Sequence, residues 1–448
     1  MPGIPITVTS PLTFQADLPE STDVVVIGGG VIGVSAALFL ARAGHHVVLL
    51  EKGRIAAEQS GRNWGWIRQQ GRDPDELPVM VEAGRLWREL SGETNENIGL
   101  KTGGVTYLAR TSEELAKYEA WLPHARDNGV DTRILTASET AALVPGMARQ
   151  YAGALHTASD MRAEPWKAVP ALAGIAVREG AVLRENCAVR CLDVSAGRVS
   201  GVVTEAGAVR ASSVILAGGA WSSLFLRNHG VSLPQLSVRS TVASTGALPQ
   251  VTPGGVADRG LAFRYRQDGG YTLAAGGFHE LFLGWDAFRA FPKFLRQLKA
   301  DPLGTRFLPG APRGYPDAWG TARRWDGGDR SPFEDCRILN PSPNARKLRE
   351  LQTSFAALFP DLPAFDLTHA WAGMIDTMPD VVPVVDRIEM LPGLVVGTGM
   401  SGHGFGIGPA MGRILAALAT GAHVDHNLSR FRFARFSDGS RMELGPAL

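Results

Sequence analysis

Residues 23–51 read DVVVIGGGVIGVSAALFLARAGHHVVLLE, and the order of residue types across them decides the architecture. Val24 to Ile27 is a short apolar run rich in β-branched residues, the composition of a buried strand. It runs directly into Gly28, Gly30 and Gly33, spaced G-x-G-x-x-G. Gly28 permits a tight turn out of the strand, Gly30 removes a side chain so that backbone can approach a pyrophosphate, and Gly33 lets the next helix pack closely on the sheet. Val31 and Ile32 open that helix, where unpaired N–H groups and the positive end of the helix dipole suit an anion. Val34 to Ala43 continues it to Gly44, and Val47 to Leu50 forms a second buried strand. Glu51 ends that strand where a dinucleotide-binding βαβ unit needs a carboxylate for an adenosine ribose diol. A carboxylate there also argues against a ribose 2′-phosphate, because two anions would face each other.

The rest of the chain sets bounds on this reading. It has 448 residues, 45% of them hydrophobic, enough to bury two domains. With 45 Lys plus Arg against 44 Asp plus Glu, net charge gives no reason to expect nucleic acid or an anionic membrane as a partner. Cys187, Cys191 and Cys336 have no C-x-x-C spacing and no histidine cluster, so neither a disulfide framework nor a metal site is indicated. Met1 to Ser21 lacks a basic start followed by an apolar core, and no uninterrupted apolar span of membrane length occurs. A cytoplasmic enzyme is the default expectation, with no transmembrane segment.

Beyond Glu51 the segment ending SGRNWGWIRQQGRD carries Arg62, Trp64, Trp66, Arg68 and Arg72. Two tryptophans among guanidinium groups can form a pocket wall with an anion-binding side, or an amphipathic stretch with buried indoles and solvated arginines. Helices are expected over 75–90, 113–128, 138–143, 166–179, 288–300 and 345–358, with a domain crossing between Leu90 and Pro145. Short strands are expected over 188–193, 199–204, 209–211 and 214–217, the last running into Gly218 and Gly219. From Ser237, strands over 238–243, 261–265 and 271–275 read as antiparallel, and 318–325 is a strand candidate carrying Arg323. Leu394 to Gly397 is a buried strand. GTGMSGHGFGIGPAMGR, residues 397–413, reads as a glycine-rich loop able to lie against a flat or anionic ligand, before a helix over 414–419.

Four segments together resemble the flavin-dependent amine and amino-acid oxidoreductases related to D-amino-acid oxidase, in the glycine oxidase, sarcosine oxidase and D-amino-acid dehydrogenase branch. They are Val24 to Glu51, AGGAWS at 217–222, WAGMIDTMPDVVPVV at 371–385 and SGHGFGIGP at 401–409. The resemblance implies an α/β fold: a discontinuous Rossmann-like FAD-binding domain over 22–90, 145–236 and 365–436. It implies a second, α+β substrate domain over 91–144 and 237–364 with a mainly antiparallel sheet, and 1–21 and 437–448 are expected as flexible termini. It implies FAD held by Gly28, Gly30, Val31, Ile32, Gly33, Glu51 and Lys52, then by Ser60, Arg62, Asn63 and Trp64. Ala217, Gly218, Trp221 and Gly373 would follow, and finally Gly399, Ser401, Gly402, His403, Gly404, Phe405 and Gly406. Gly373 to Asp380 contains no cysteine, so the cofactor is expected to be noncovalent.

The implied reaction is oxidative deamination or N-dealkylation of a small amino acid or secondary amine bearing a carboxylate. Hydride leaves the carbon next to nitrogen for flavin N5, and the imine hydrolyses. Arg68 stands like a substrate arginine of that branch and is the carboxylate candidate, with Arg323 as a possible helper. Tyr265, Tyr271 and His279 could orient the amine or accept a proton, or simply pack. His403 could donate to the flavin. Gly406 stands where monomeric sarcosine oxidases carry a carboxylate-binding lysine, and 261–283 contains no lysine of the kind that helps those oxidases activate oxygen, so a quinone, a dye or an electron-transfer protein could replace oxygen as acceptor. A quinone-linked dehydrogenase could sit peripherally on the inner membrane. Oxidation of a 2-hydroxy acid, flavin monooxygenation, and a flavin or electron-transfer subunit of a larger dehydrogenase complex remain as alternatives.

Overall fold

The computed structural model of the chain describes residues 4–302 and 304–445. Its first sheet has six strands, in the order Val384–Arg387, Leu394–Thr398, Ser213–Leu216, Val24–Ile27, Val47–Leu50 and Val182–Arg184. All neighbours run parallel except the Val384–Arg387 edge, which is antiparallel. Strands of a parallel sheet are covered on both faces, and here the central ones are buried at nearly every residue. The helices Val31–Arg42, Pro165–Arg178 and Gly404–Thr420 share one core on one face. On the other face lie the helix Ser222–Asn228 and a three-stranded antiparallel meander, Val189–Ser195, Arg198–Thr204 and Gly207–Arg210.

A second, mainly antiparallel sheet of ten strands is held to the first through Leu236–Thr245 and Leu367–Thr377. These two pair from Leu236↔Thr377 to Thr245↔Leu367. The domain division expected from sequence differs here: the strands Gly153–Thr157 and Leu367–Thr377, given to the FAD-binding portion, pair in this second sheet. Strand pairing is a long-range property: Leu367–Thr377 runs on to Val384–Arg387 of the first sheet, and Gly153–Thr157 precedes the helix Pro165–Arg178 that covers that sheet.

Other expectations are corrected. The glycine-rich stretch expected as a loop to 413 is helix from Gly404 to Thr420. A Cβ at Gly408 would stand 2.5 Å from Val31 Cγ2, and one at Gly412 would stand 2.4 Å from Ser35 Cβ. The small residues therefore let two helices meet at backbone distance. Residues 318–325 form turns rather than a strand; the Thr321 hydroxyl donates to the Tyr315 carbonyl at 2.6 Å, and Trp325 Nε1 to the Arg190 carbonyl at 2.8 Å. The helix expected over 113–128 is two, Ser112–Glu119 and Leu122–Asp127.

The described parts of both termini are tied down. The N–H groups of Thr13 and Phe14 donate to Glu185 at 2.6 and 3.1 Å, and Arg54 holds the Val8 and Ser10 carbonyls. Arg432 pairs with Asp438, and the Gly445 N–H donates to the Asp380 carbonyl at 3.0 Å. Residues 1–3 and 446–448 of the expected flexible termini lie outside the described residues. Among the described residues, no helix is long and apolar enough to cross a membrane.

Candidate active site

Both sheets wall a cavity of about 1190 Å³, room for a dinucleotide and a small substrate. One part of its wall is built on the first strand, Val24–Ile27, and the glycine turn that follows it. Gly28 takes φ +111°, and a Cβ there would stand 2.4 Å from the Ala217 carbonyl oxygen, so that turn requires glycine. Gly33 faces the turn rather than the cavity: its missing Cβ would stand 2.0 Å from the Gly28 oxygen. Gly30 precedes the helix Val31–Arg42 in extended conformation, without a side-chain cap. A Cβ on it would meet only Ser60 Oγ, at 3.1 Å, so the space beside the helix start is a cradle closed by Ser60. Ser60 Oγ accepts the Val31 N–H at 2.9 Å.

Glu51 accepts the N–H groups of Gly29 and Gly53 at 2.7 and 2.6 Å, which fixes its carboxylate beside the glycine turn. Burial pushes its pKa up to about 7 against the opposing pull of Lys52 and these two N–H groups. Diol donors would satisfy it further. A hydroxyl-accepting carboxylate, a helix start that Gly30 leaves without a cap of its own and a bare glycine turn, all lining one cavity, fit the adenosine diphosphate half of FAD.

Lys52 has another role. Its ammonium donates to Glu58 at 2.7 Å and to the carbonyls of Cys336 and Arg337, and it lies over the Trp221 ring. Trp221 Nε1 and the Leu339 N–H also donate to Glu58, so this carboxylate closes the wall around Ala217, Gly218 and Trp221. Arg62 is similarly engaged, with Nε on the Ala57 carbonyl and Nη1 on the Ala372 carbonyl, while Trp371 Nε1 donates back to the Arg62 carbonyl. It clamps the strand bearing Gly373 to the cavity. Asn63 accepts the Gly65 N–H at 2.7 Å, shaping the turn that sets Trp64 and Trp66 edge to face, 5.3 Å between ring centroids.

Ser401, Gly402, His403, Gly404, Phe405 and Gly406 line the wall as the approach and first turn of the helix Gly404–Thr420. Gly399 is not in the lining. Its N–H donates to Asp376 at 2.7 Å, and this buried carboxylate also accepts from Thr398 and Gln235. Phe405 packs on Trp87, whose Nε1 donates to the Gly406 carbonyl at 2.8 Å.

Of the expected substrate groups, Arg68, His403 and His279 line the cavity. Arg68 is buried, with Nη1 on the Gln70 carbonyl at 2.6 Å and its guanidinium carbon 5.1 Å from the centre of the Tyr107 ring. His279 is half-buried on a strand beside Thr305–Leu308, and burial holds its pKa below the usual imidazole value. Tyr271, Tyr265 and Arg323 are placed elsewhere. The Tyr271 hydroxyl donates to the Pro249 carbonyl and accepts the Val251 N–H inside a separate core, against which Tyr265 packs. Arg323 lies 3.5 Å from Asp286 and donates to the Pro316 carbonyl.

Two lining or adjoining groups, Tyr107 and Glu76, escaped the sequence reading of the site, and Arg72 reads from sequence only as one of several guanidinium groups in a possible pocket wall. Arg72 donates to the Arg68 carbonyl at 3.0 Å, and burial lowers its pKa to about 9. Tyr107 forms the floor under Arg68. Glu76, with a pKa raised to about 7 chiefly by burial, stands behind His403. The four-residue spacing of Arg72 to Arg68 signals the pairing of the two; Tyr107 and Glu76 carry no such signal.

The model of a family described as DAO, FAD dependent oxidoreductase, matches residues 23–418. The chain belongs to this FAD-dependent oxidoreductase family. Human peroxisomal sarcosine oxidase is 24% identical over 424 residues, 92% of this chain and 96% of the relative. Glycine oxidase from Pseudomonas aeruginosa is 25% identical over 415 residues, 90% and 95% of the two chains. Human mitochondrial sarcosine dehydrogenase is 28% identical over 278 residues, 60% of this chain but only 30% of that longer relative. The solved structure of L-amino acid deaminase from Proteus myxofaciens in complex with anthranilate superposes with a TM-score of 0.89 at 29% identity, covering 95% of this chain and 96% of its own. The family's cofactor is FAD, and no cysteine lines the cavity among the described residues, in keeping with noncovalent binding.

Proposed function

We propose that the protein oxidises a small amino acid or a secondary amine bearing a carboxylate, by deamination or N-dealkylation. The observation that carries this reading is Arg68, a buried guanidinium lying over Tyr107 in the wall of a cavity otherwise rich in apolar and aromatic groups. Such a group holds a carboxylate through charge-assisted hydrogen bonds and orients what is attached to it. Tyr107 supports the guanidinium from below, and Arg72 fixes the backbone of Arg68 through its carbonyl. FAD, when bound, supplies the electron sink for the pair leaving the carbon next to nitrogen. Nitrogen must be unprotonated at that stage, since an ammonium has no lone pair to expel hydride. The relatives named for sarcosine, glycine and L-amino acids support the same substrate class.

A carboxylate ligand that cannot react provides the test. Anthranilate or benzoate added to the FAD-loaded protein should perturb the visible flavin band saturably, and Arg68→Ala should abolish the perturbation while keeping FAD. An equal perturbation in both proteins would remove Arg68 from carboxylate recognition and leave the reading without its main support.

A further inference from the structure

Behind the Arg68 end of the cavity, several buried polar atoms lack a hydrogen-bond partner: both carboxylate oxygens of Glu76, His403 Nδ1 and Arg72 Nη1. Burying a carboxylate or a ring nitrogen without a partner is costly, and a proton shared between the two would relieve both. Glu76 Oε2 lies 3.5 Å from His403 Nδ1, and Glu76 is shut off from solvent. Glu76 is the residue before the helix Leu77–Glu93, and His403 the residue before Gly404–Thr420. Those helices are pinned together by Trp87, which stacks on Phe405 and donates to the Gly406 carbonyl. The approach of Glu76 to His403 is therefore built into two packed helix starts.

We propose that Glu76 is a positioning residue that sets which ring nitrogen of His403 carries the proton, and so whether His403 offers the cavity a donor or an acceptor. His403 lines the cavity, and since Nδ1 lies toward Glu76, Nε2 is the ring nitrogen left to serve the cavity. When Glu76 is protonated, its O–H donates to Nδ1 and the ring proton sits on Nε2, a donor toward the cavity. When Glu76 is ionised, Nδ1–H donates to the carboxylate and the Nε2 lone pair faces the cavity. Passing from the first state to the second releases one proton from the pair. In the second state Nε2 can take one proton from a substrate ammonium while Nδ1–H passes its proton to Glu76, which leaves a neutral amine and returns the pair to its first state. This last consequence rests on the proposed amine oxidation; the tautomer change itself does not.

The surrounding charges place the change near neutrality. Burial raises the Glu76 pKa to about 7, against Arg72, Arg68 and Arg430, which favour its ionised form, while Asp380 opposes it. Asp73, an acid three residues before Glu76 whose charge acts against it, is engaged by Arg430 at 3.4 Å. Burial, then Arg72 and Arg68, hold the His403 pKa well below the usual imidazole value, so the free imidazolium does not compete at neutral pH. The two groups then titrate as one pair.

The test is ¹⁵N NMR of the FAD-loaded protein labelled at its ten histidines, without substrate, with His403 assigned from the signals lost in His403→Gln. The ring nitrogens of His403 should pass from the Nε2–H to the Nδ1–H pattern as pH rises through about 7. Glu76→Gln should bind FAD and hold one pattern across the range. A wild-type pattern that does not change with pH, or the same change in Glu76→Gln, would overturn the proposal. If Glu76→Gln does not retain FAD, Glu76→Asp serves instead: the shorter carboxylate must shift the midpoint, and an unshifted midpoint overturns it equally. Failure of amines to reduce the flavin, with the tautomer change intact, would count against the proposed function and not against this pairing.

Discussion

The carbonyl oxygen of Gly28 fills the space where a Cβ on Gly33 would lie, 2.0 Å from that position, so the first turn and first helix touch through bare backbone. Gly33→Ala should therefore cost about 1–3 kcal/mol of stability through overpacking against an immovable carbonyl, read in denaturant unfolding of the apoprotein. Gly30 differs, since its neighbour is only the tip of Ser60. Gly30→Val should leave the apoprotein near wild-type stability and largely abolish FAD retention, measured by the ratio of flavin to protein absorbance. Normal occupancy would contradict the cradle described for this turn.

With Glu51 as the carboxylate that accepts the ribose diol, FAD binding should be pH-dependent. Its folded pKa, about 7, lies above the ordinary 4.5, so in the apoprotein this carboxyl lowers stability as pH rises from about 4.5 to about 7 and adds no further slope above. Diol donors favour the ionised form, so FAD affinity should rise across the same window by up to about tenfold per pH unit. Fluorescence titration of apoprotein between pH 5 and 8 measures this, and Glu51→Gln should flatten the dependence.

Arg264 and Glu164 form a fully buried bidentate pair, at 2.7 and 3.0 Å, joining the second sheet to the start of the helix Pro165–Arg178. Burial tends to raise the Glu164 pKa, but the Arg264 charge and its hydrogen bonds outweigh it and hold the carboxyl below its usual range. The pair's stabilisation is present above the ordinary carboxylate pKa and is lost as pH falls through the depressed value. Arg264→Met alone should cost about 3–5 kcal/mol, and Arg264→Met with Glu164→Gln distinctly less, because the single change strands a buried charge. Urea unfolding of the four proteins gives the coupling.

How far the site could be read from sequence follows from how local each signal is. Residues 23–51 were legible because strand, turn, helix and acid are contiguous and each glycine answers a local steric demand. Gly404–Thr420 was misread because glycine and Pro409 suggest a loop, whereas the determinant is the facing surface of Val31 and Ser35, nearly four hundred residues away in the chain. Glu58, Glu76 and Asp376 are single carboxylates whose meaning comes entirely from partners such as Leu339, His403 and Gly399, so no spacing announces them. Tyr271 shows the converse: it alternates correctly on its strand, but its hydroxyl is spent on Pro249 and Val251 inside a core.

Arg68→Ala should lower catalytic efficiency for carboxylated amines by about 10²-fold, the loss of a charge-assisted pair worth about 1.5–3 kcal/mol together with the orientation it provides. The same amine without its carboxylate should be a poor substrate of both proteins, to a similar extent. Steady-state kinetics with any competent acceptor separates the two.

The most direct measurement is anaerobic visible spectroscopy of the FAD-loaded protein, titrated with D-, L-, N-methyl and N-carboxymethyl amino acids. One class should bleach the flavin band near about 450 nm stoichiometrically in the wild type, and far more slowly in Arg68→Ala. No bleaching by any amine at full FAD occupancy, or bleaching indifferent to Arg68, would contradict the account.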